Sequence, residues 1–319
     1  MGRRSRARVA RGSKGASTAP SDVRQRLDTV ALASPEWRGW LTLLKEALSE
    51  VNAPGWDSVE PSLDQNREPT APALAGARIA LEPSLGREWA RRLLEMAGRA
   101  GGAGAASLRA AAQRLDGLRF LEAAVCEDLD TVAGLAADSG TDGKALGALV
   151  GLAAMPLLQA CRRRVVGGVA EGWSCGYCPV CGAWPTLAEV RGLERSIRLR
   201  CGRCGGDWRI EWLTCPYCGV ADHERLGSLV SDSHGETRTV RTCAECLGYF
   251  KTVTTLGPWP PDRVAIEDLA TVDLDVAALE RGYARPGRPG YAIGARLVEA
   301  PSEPTADHRR TWGAFGWRR

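Results

Sequence analysis

Eight of the eleven cysteines form four Cys-x-x-Cys pairs within one short stretch: Cys178/Cys181, Cys201/Cys204, Cys215/Cys218 and Cys243/Cys246. Two such pairs directed at one ion supply the four thiolates of a tetrahedral site, so the spacing predicts two metal centres in tandem. About 20 residues separate paired knuckles in a metal ribbon, and this favours sequential over interleaved pairing. The first centre then takes Cys178, Cys181, Cys201 and Cys204, and the second takes Cys215, Cys218, Cys243 and Cys246. In Cys178-Pro-Val-Cys181-Gly182 and Cys215-Pro-Tyr-Cys218-Gly219, proline fixes the turn. The glycine after the second cysteine tolerates positive φ and leaves backbone N–H groups directed at sulfur. Four thiolates suit structural zinc and redox-active iron alike, and spacing does not separate the two.

The other chemically interesting side chains are few. Cys175, in Cys-Gly-Tyr-Cys-Pro-Val-Cys, reads as a spare thiol beside the first knuckle, with ligand replacement as the alternative. Cys126 and Cys161 fall in apolar helical stretches and read as small core residues. The three histidines, His223, His234 and His308, share no metal-ligand spacing. The sequence carries no nucleophile triad pattern, phosphate-binding loop or dinucleotide fingerprint, so nothing in it argues for an enzyme.

The elements around the cysteines divide the 319 residues into an α+β arrangement. A basic tail (1–20) is expected to be disordered, followed by an all-helical domain (21–172). Two small tandem rubredoxin-like or zinc-ribbon modules (173–213 and 214–257) precede a C-terminal helical segment (258–285) and a flexible extension (286–319). In the helical domain, apolar residues such as Trp89, Leu93, Leu94 and Met96 recur in the three-to-four rhythm of one helix face. Helices are predicted over 37–48, 84–98, 106–115, 118–136 and 144–165, and again over 265–283. The Pro-rich stretch from Val51 to Gly76 is expected to form an ordered surface loop or lid. Alternating residues predict strands over 193–200, 207–214, 224–230, 237–241 and 249–255. Ribbons this small bury too little surface to fold alone, so bound metal must supply folding free energy, on the order of 10 kcal/mol.

The chain is 44% hydrophobic and carries a net charge of +4. The tail alone holds Arg3, Arg4, Arg6, Arg8, Arg11 and Lys14, leaving the rest slightly acidic and without a basic stripe for nucleic acid. Paired cysteines without an export signal point to a reducing, cytoplasmic setting. The most apolar run, Ala145 to Cys161, is shorter than a transmembrane helix and contains Pro156, so a buried helix is expected.

The order of these motifs resembles the formate dehydrogenase accessory protein FdhE family. The resemblance rests on Cys178-Pro-Val-Cys181-Gly182, on LRCGRCGGDWRIEWLTCPYCG from Leu199 to Gly219, on TCAECLGYFKT from Thr242, and on IEDLATVDLDVAALERGYAR from Ile266 to Arg285. It covers about residues 20 to 285 and is specific chiefly from Cys178 onward. It implies a cytoplasmic, non-enzymatic maturation factor that binds the immature catalytic subunit of a molybdenum- or tungsten-containing respiratory formate dehydrogenase. It also implies that the eight paired cysteines hold two ions, iron or zinc. Trp208, Trp212, Tyr249 and Phe250 are candidate partner contacts, since aromatic anchors dominate interfaces; the alternative is that they cover the ribbon cores. Two other readings stand beside this one. One is a zinc-ribbon nucleic-acid-binding protein, which the charge distribution disfavours; the other is a rubredoxin-like electron-transfer or thiol-redox protein.

Overall fold

The computed structural model describes residues 20–165 and 172–300. The basic tail, His308 and the aromatics Trp312, Phe315 and Trp317 lie outside the described residues. Helices α1 (Pro20–Ala33), α2 (Arg38–Glu50), α3 (Pro83–Ala100), α4 (Ala105–Ala111), α5 (Gly117–Cys126), α6 (Leu129–Ser139), α7 (Gly143–Ala148) and α8 (Val150–Val165) build the N-terminal half. Side-chain caps set several of their starts. The carboxylates of Glu82, Asp116, Asp128 and Asp142 accept from the backbone N–H groups of Leu85, Arg119, Thr131 and Ala145, satisfying donors that the first turn leaves free.

Three stretches expected to be single helices are each divided in two. The helix predicted over 118–136 breaks where Glu127 takes φ 53° and Asp128 begins a new cap. The stretch over 144–165 breaks at Leu149 and that over 265–283 at Thr271, giving α9 (Pro261–Ala270) and α10 (Val272–Leu279). Hydrophobic rhythm continues across such corners because both halves face the same core, so periodicity alone does not reveal them. Residues Gly143–Val165 are long and apolar enough to cross a membrane, but 72% of the apolar window is buried inside the fold. It is a core element: Trp89 on α3 donates its indole N–H to the Ala153 carbonyl at 2.9 Å, in the turn that Pro156 loosens.

Strands β3 (Leu187–Arg191), β4 (Ser196–Arg200), β5 (Asp207–Arg209), β6 (Leu226–Ser231), β7 (Gly235–Cys243) and β8 (Tyr249–Thr255) form one sheet in the order β5-β4-β3-β8-β7-β6. Each metal module contributes an antiparallel three-stranded ribbon, and the ribbons join edge to edge through the parallel pair β3 and β8. The modules are therefore not free-standing. β3 went unrecognised in the sequence because four of its five residues are buried, Glu189 included, which removes the alternation that marks a half-exposed strand.

The C-terminal extension also departs from expectation, because residues 286–300 are built into the fold. Ile293 and Ala295 are buried, and β9 (Arg296–Glu299) pairs in parallel with β2 (Arg78–Leu81), which pairs with β1 (Glu60–Ser62). The Pro-rich stretch is ordered as expected but is not a surface loop: it contains β1, within the part expected to be all-helical, buries Trp56, Val59, Ala73 and Leu74, and docks on the first knuckle. Its Ala73 and Leu74 N–H groups donate to the carbonyls of Pro179 and Val180 at 2.8 and 3.0 Å.

Candidate metal centres

The structure brings the eight paired cysteines together as two groups of four. The sulfurs of Cys178, Cys181, Cys201 and Cys204 lie within 4.8 Å of one another, as do those of Cys215, Cys218, Cys243 and Cys246. A tetrahedron with metal–sulfur bonds of about 2.3 Å has sulfur–sulfur edges of about 3.8 Å. In the second group Cys215–Cys246 and Cys218–Cys243 are both 3.7 Å apart; in the first, Cys178–Cys204 and Cys181–Cys201 are 3.4 and 3.6 Å apart. These spacings fit one tetrahedral ion per group. Burial pushes the Cys178 and Cys204 thiols far above the ordinary thiol range, while hydrogen bonds from Cys178 and the neighbouring cysteines hold Cys201 far below it. A divalent cation resolves that conflict, because it accepts all four sulfurs as thiolates.

Glycines let the backbone approach the sulfurs closely. In three knuckles the residue after the second cysteine is a glycine at positive φ: Gly182 (74°), Gly205 (73°) and Gly219 (75°). A Cβ on Gly206 would lie 2.8 Å from the Cys178 sulfur, so no side chain fits there. The fourth knuckle places Leu247 in the same conformation, at φ 54° and 55% exposed. A left-handed conformation costs an ordinary L-residue about 1–2 kcal/mol. We expect Leu247→Gly to stabilise the chain by about 1 kcal/mol after glycine's own entropy cost, read as a rise in thermal midpoint. An unchanged or lower midpoint would show that the Leu247 side chain contributes more to folding than its strain removes.

Each module is tied to the rest of the molecule by buried charges. Between Cys201 and Cys204, Arg203 reaches the last turn of α5, donating to the carbonyls of Ala124 and Val125 and pairing with Glu127 at 3.2 Å. A cation is favoured there because the helix C-terminus carries partial negative charge. Glu189, fully buried on β3, pairs with Arg200 and with Arg191 at 2.6 Å and accepts the Trp259 N–H. Beside the second centre, the fully buried Lys251 ammonium contacts Asp268 at 2.8 Å and Asp275 at 2.6 Å. Arg285 bridges the same two carboxylates at 3.0 and 2.8 Å, and the Tyr249 hydroxyl donates to Asp275 at 2.8 Å. This set of ionic contacts accounts for Asp268, Asp275 and Arg285 of the 266–285 motif. No local pattern marks it, since its members are separated along the chain and alternate with ordinary helix residues.

Rings connect the two modules. Tyr177, preceding Cys178, packs 6.0 Å from Trp184, which packs 5.1 Å from Tyr217 in the second knuckle, itself 6.4 Å from Phe250. A Cβ on Gly176 would overlap the Pro216 carbonyl, so the knuckle loops touch backbone to backbone.

Among the candidate contact aromatics, Trp208, Tyr249 and Phe250 are 3, 3 and 6% exposed. They are interior residues of this chain and cannot present a face to a partner without unfolding, which corrects the contact reading for these three. Trp212 is 40% exposed, with the Arg241 and Arg195 guanidinium groups 4.7 and 5.8 Å from its ring. Cys175 is not among the four sulfurs of either group. Cys161 is buried, and burial pushes its thiol up to about 12; Cys126 is partly buried, its thiol pushed up to about 11. Both are suited to packing rather than reaction. His234 faces Asp273 at 2.9 Å and His223 lies 3.9 Å from Asp222, and neither belongs to a sulfur group.

A helical domain that shares its core with the first of two four-cysteine knuckle modules, the modules themselves joined in one sheet, defines an α+β protein with paired four-cysteine metal-binding sites. No family model matches the chain. Over 118 residues it is 33% identical to the protein FdhE homolog of Aquifex aeolicus (strain VF5), a match covering 35% of this chain and 40% of that relative. Over 111 residues it is 31% identical to protein FdhE of Escherichia coli O127:H6, covering 34% and 35%. The matched stretch thus spans well under half the length of these curated relatives. The crystal structure of the FdhE protein from Pseudomonas aeruginosa shares the fold at a TM-score of 0.54 and 23% identity, covering 86% of this chain and 96% of that one. The chain is thus similar in sequence to proteins named FdhE over about a third of its length, and it shares its fold with one of them.

Proposed function

We propose that this chain is a cytoplasmic, non-enzymatic maturation factor that binds the immature catalytic subunit of a molybdenum- or tungsten-containing formate dehydrogenase and supports its assembly. Each four-cysteine group ligates one ion, iron or zinc, through all four sulfurs. The observation that carries the reading is the pair of tetrahedrally spaced sulfur groups on an FdhE-like fold. When bound, the ion supplies a closed thiolate centre; the chain's own residues supply the frame that holds the sulfurs in place. Affinity capture from the native cytoplasm at moderate salt, followed by mass spectrometry, tests the partner. Recovery of a formate dehydrogenase catalytic subunit is the expected result. Recovery of nucleic acid or ribosomes in its place would transfer the assignment to the zinc-ribbon alternative.

The ring series Tyr177–Trp184–Tyr217 favours a second reading, in which both centres hold iron and exchange electrons through adjacent π-systems. Metal analysis of anaerobically prepared protein decides it: zinc in both centres removes any redox role, whereas iron in both sustains it.

A further inference from the structure

The two sulfur groups have the same ligands and similar spacing but opposite surroundings. In the first, Cys178, Cys181, Cys201 and Cys204 are all buried, at 2% exposure or less, within the apolar core that also contains the helical domain. In the second, Cys215 and Cys243 are buried while Cys218 and Cys246 are exposed. The knuckle tips show the same contrast independently of the sulfurs. A Cβ on Gly182 would meet the Tyr291 carbonyl at 2.5 Å, and one on Gly205 would meet the Pro261 ring at 2.7 Å. The C-terminal segment and the start of α9 thus close both tips of the first centre. Among the described residues, a Cβ on the corresponding Gly219 would meet nothing within 4 Å, and Leu247 stands exposed at the other tip. Among the described residues, nothing closes this side of the second centre beyond the cysteines themselves.

We propose that the two centres are unequal in function: the Cys178 group holds its ion permanently as part of the core, and the Cys215 group is exchangeable, opened to external soft ligands through Cys218 and Cys246. Metal and thiolate reactivity follow access by solvent and reagent. A chelator or a thiol from another molecule can approach an ion held by exposed Cys218 and Cys246 without any backbone motion. To reach the first centre, the same reagent must displace the Pro-rich stretch, the segment around Tyr291 or α9, which amounts to opening the main core. The inference rests on the reading that each group binds one ion.

The full chain, loaded anaerobically with two equivalents of zinc, is challenged under native conditions with excess metallochromic chelator and, in parallel, with iodoacetamide followed by peptide mass mapping. One equivalent is expected to leave, and the other to stay until the chain is unfolded. Alkylation is expected first at Cys218 and Cys246, with the Cys178 group unlabelled. Both equivalents leaving together, or first labelling in the Cys178 group, would overturn the proposal. Cys218→Ser is expected to retain one chelator-resistant equivalent; loss of both equivalents from that variant would also overturn the proposal. None of these readings needs a client. Biphasic release with no captured subunit would defeat the maturation reading alone, and single-phase release with a captured subunit would defeat only this inference.

Discussion

Cys178→Ser is expected to prevent the chain from reaching its native fold, with loss of near-ultraviolet signal from the helical domain as well as from the knuckle region. Cys178 is fully buried and packs in the same apolar core as Trp89, Leu121 and Leu158. Serine is a poor ligand for a thiolate-selective ion, and its hydroxyl is left in an apolar pocket. A structural tetrathiolate site contributes on the order of 10 kcal/mol, which is comparable to the ~5–15 kcal/mol total stability of a typical domain. The small-ribbon picture suggested by the cysteine spacing confines this damage to the module. The continuous core and the Arg203 contact with α5 extend it to the helices, so denaturant titration of the wild type holding its ions should show helix and first-knuckle signals lost in one cooperative transition. A Cys178→Ser chain with the wild-type urea midpoint would show that the first centre plays no part in folding.

The second large effect belongs to the ionic set beside the second centre. Asp275→Ala is expected to destabilise by about 3 kcal/mol, near the lower end of the range for breaking a buried ion pair. The substitution removes the acceptor of Lys251, Arg285 and Tyr249 at once and leaves a fully buried ammonium with one carboxylate where it had two. Lys251→Met should cost less, although it removes the more deeply buried partner. The carboxylates of Asp268 and Asp275 remain 32 and 18% exposed and keep Arg285, so water and one cation still compensate them, and methionine fills the apolar path of the lysine stem. Urea midpoints of the two variants against wild type measure the difference. A Lys251→Met chain less stable than Asp275→Ala would show that these carboxylates are effectively dry. Acid acts in the same direction as the substitutions. Burial alone would raise the Asp268 carboxyl, but Lys251 and Arg285 hold it below the ordinary range. Its stabilising share is therefore present above about pH 4, the usual carboxylate value, and is lost as pH falls through the lower native value.

The grouping of cysteines into two sets of four was legible in the residues alone, because Cys-x-x-Cys spacing is a local property and a ribbon can return one knuckle to another only over a narrow range of lengths. Most of the helical stretches of the N-terminal half after α1 were legible for the same reason, though not the corners that divide them: a three-to-four rhythm marks a buried face whatever it packs against. The strand over 249–255 agrees with β8 at both ends. What sequence could not supply is everything that depends on two distant segments meeting. Glu189 reads as a surface residue until β3 is enclosed by β4 and β8; Lys251 reads as solvated until α9 and α10 fold over β8. Residues 286–300 carry the prolines, glycines and arginines of a free tail, yet β9 finds β2 more than two hundred residues earlier. The difference between the two centres is of this kind as well. Four knuckles written in nearly the same letters become one closed and one open site, because burial is set by whatever the rest of the chain places over them, and no pattern within the knuckle encodes that.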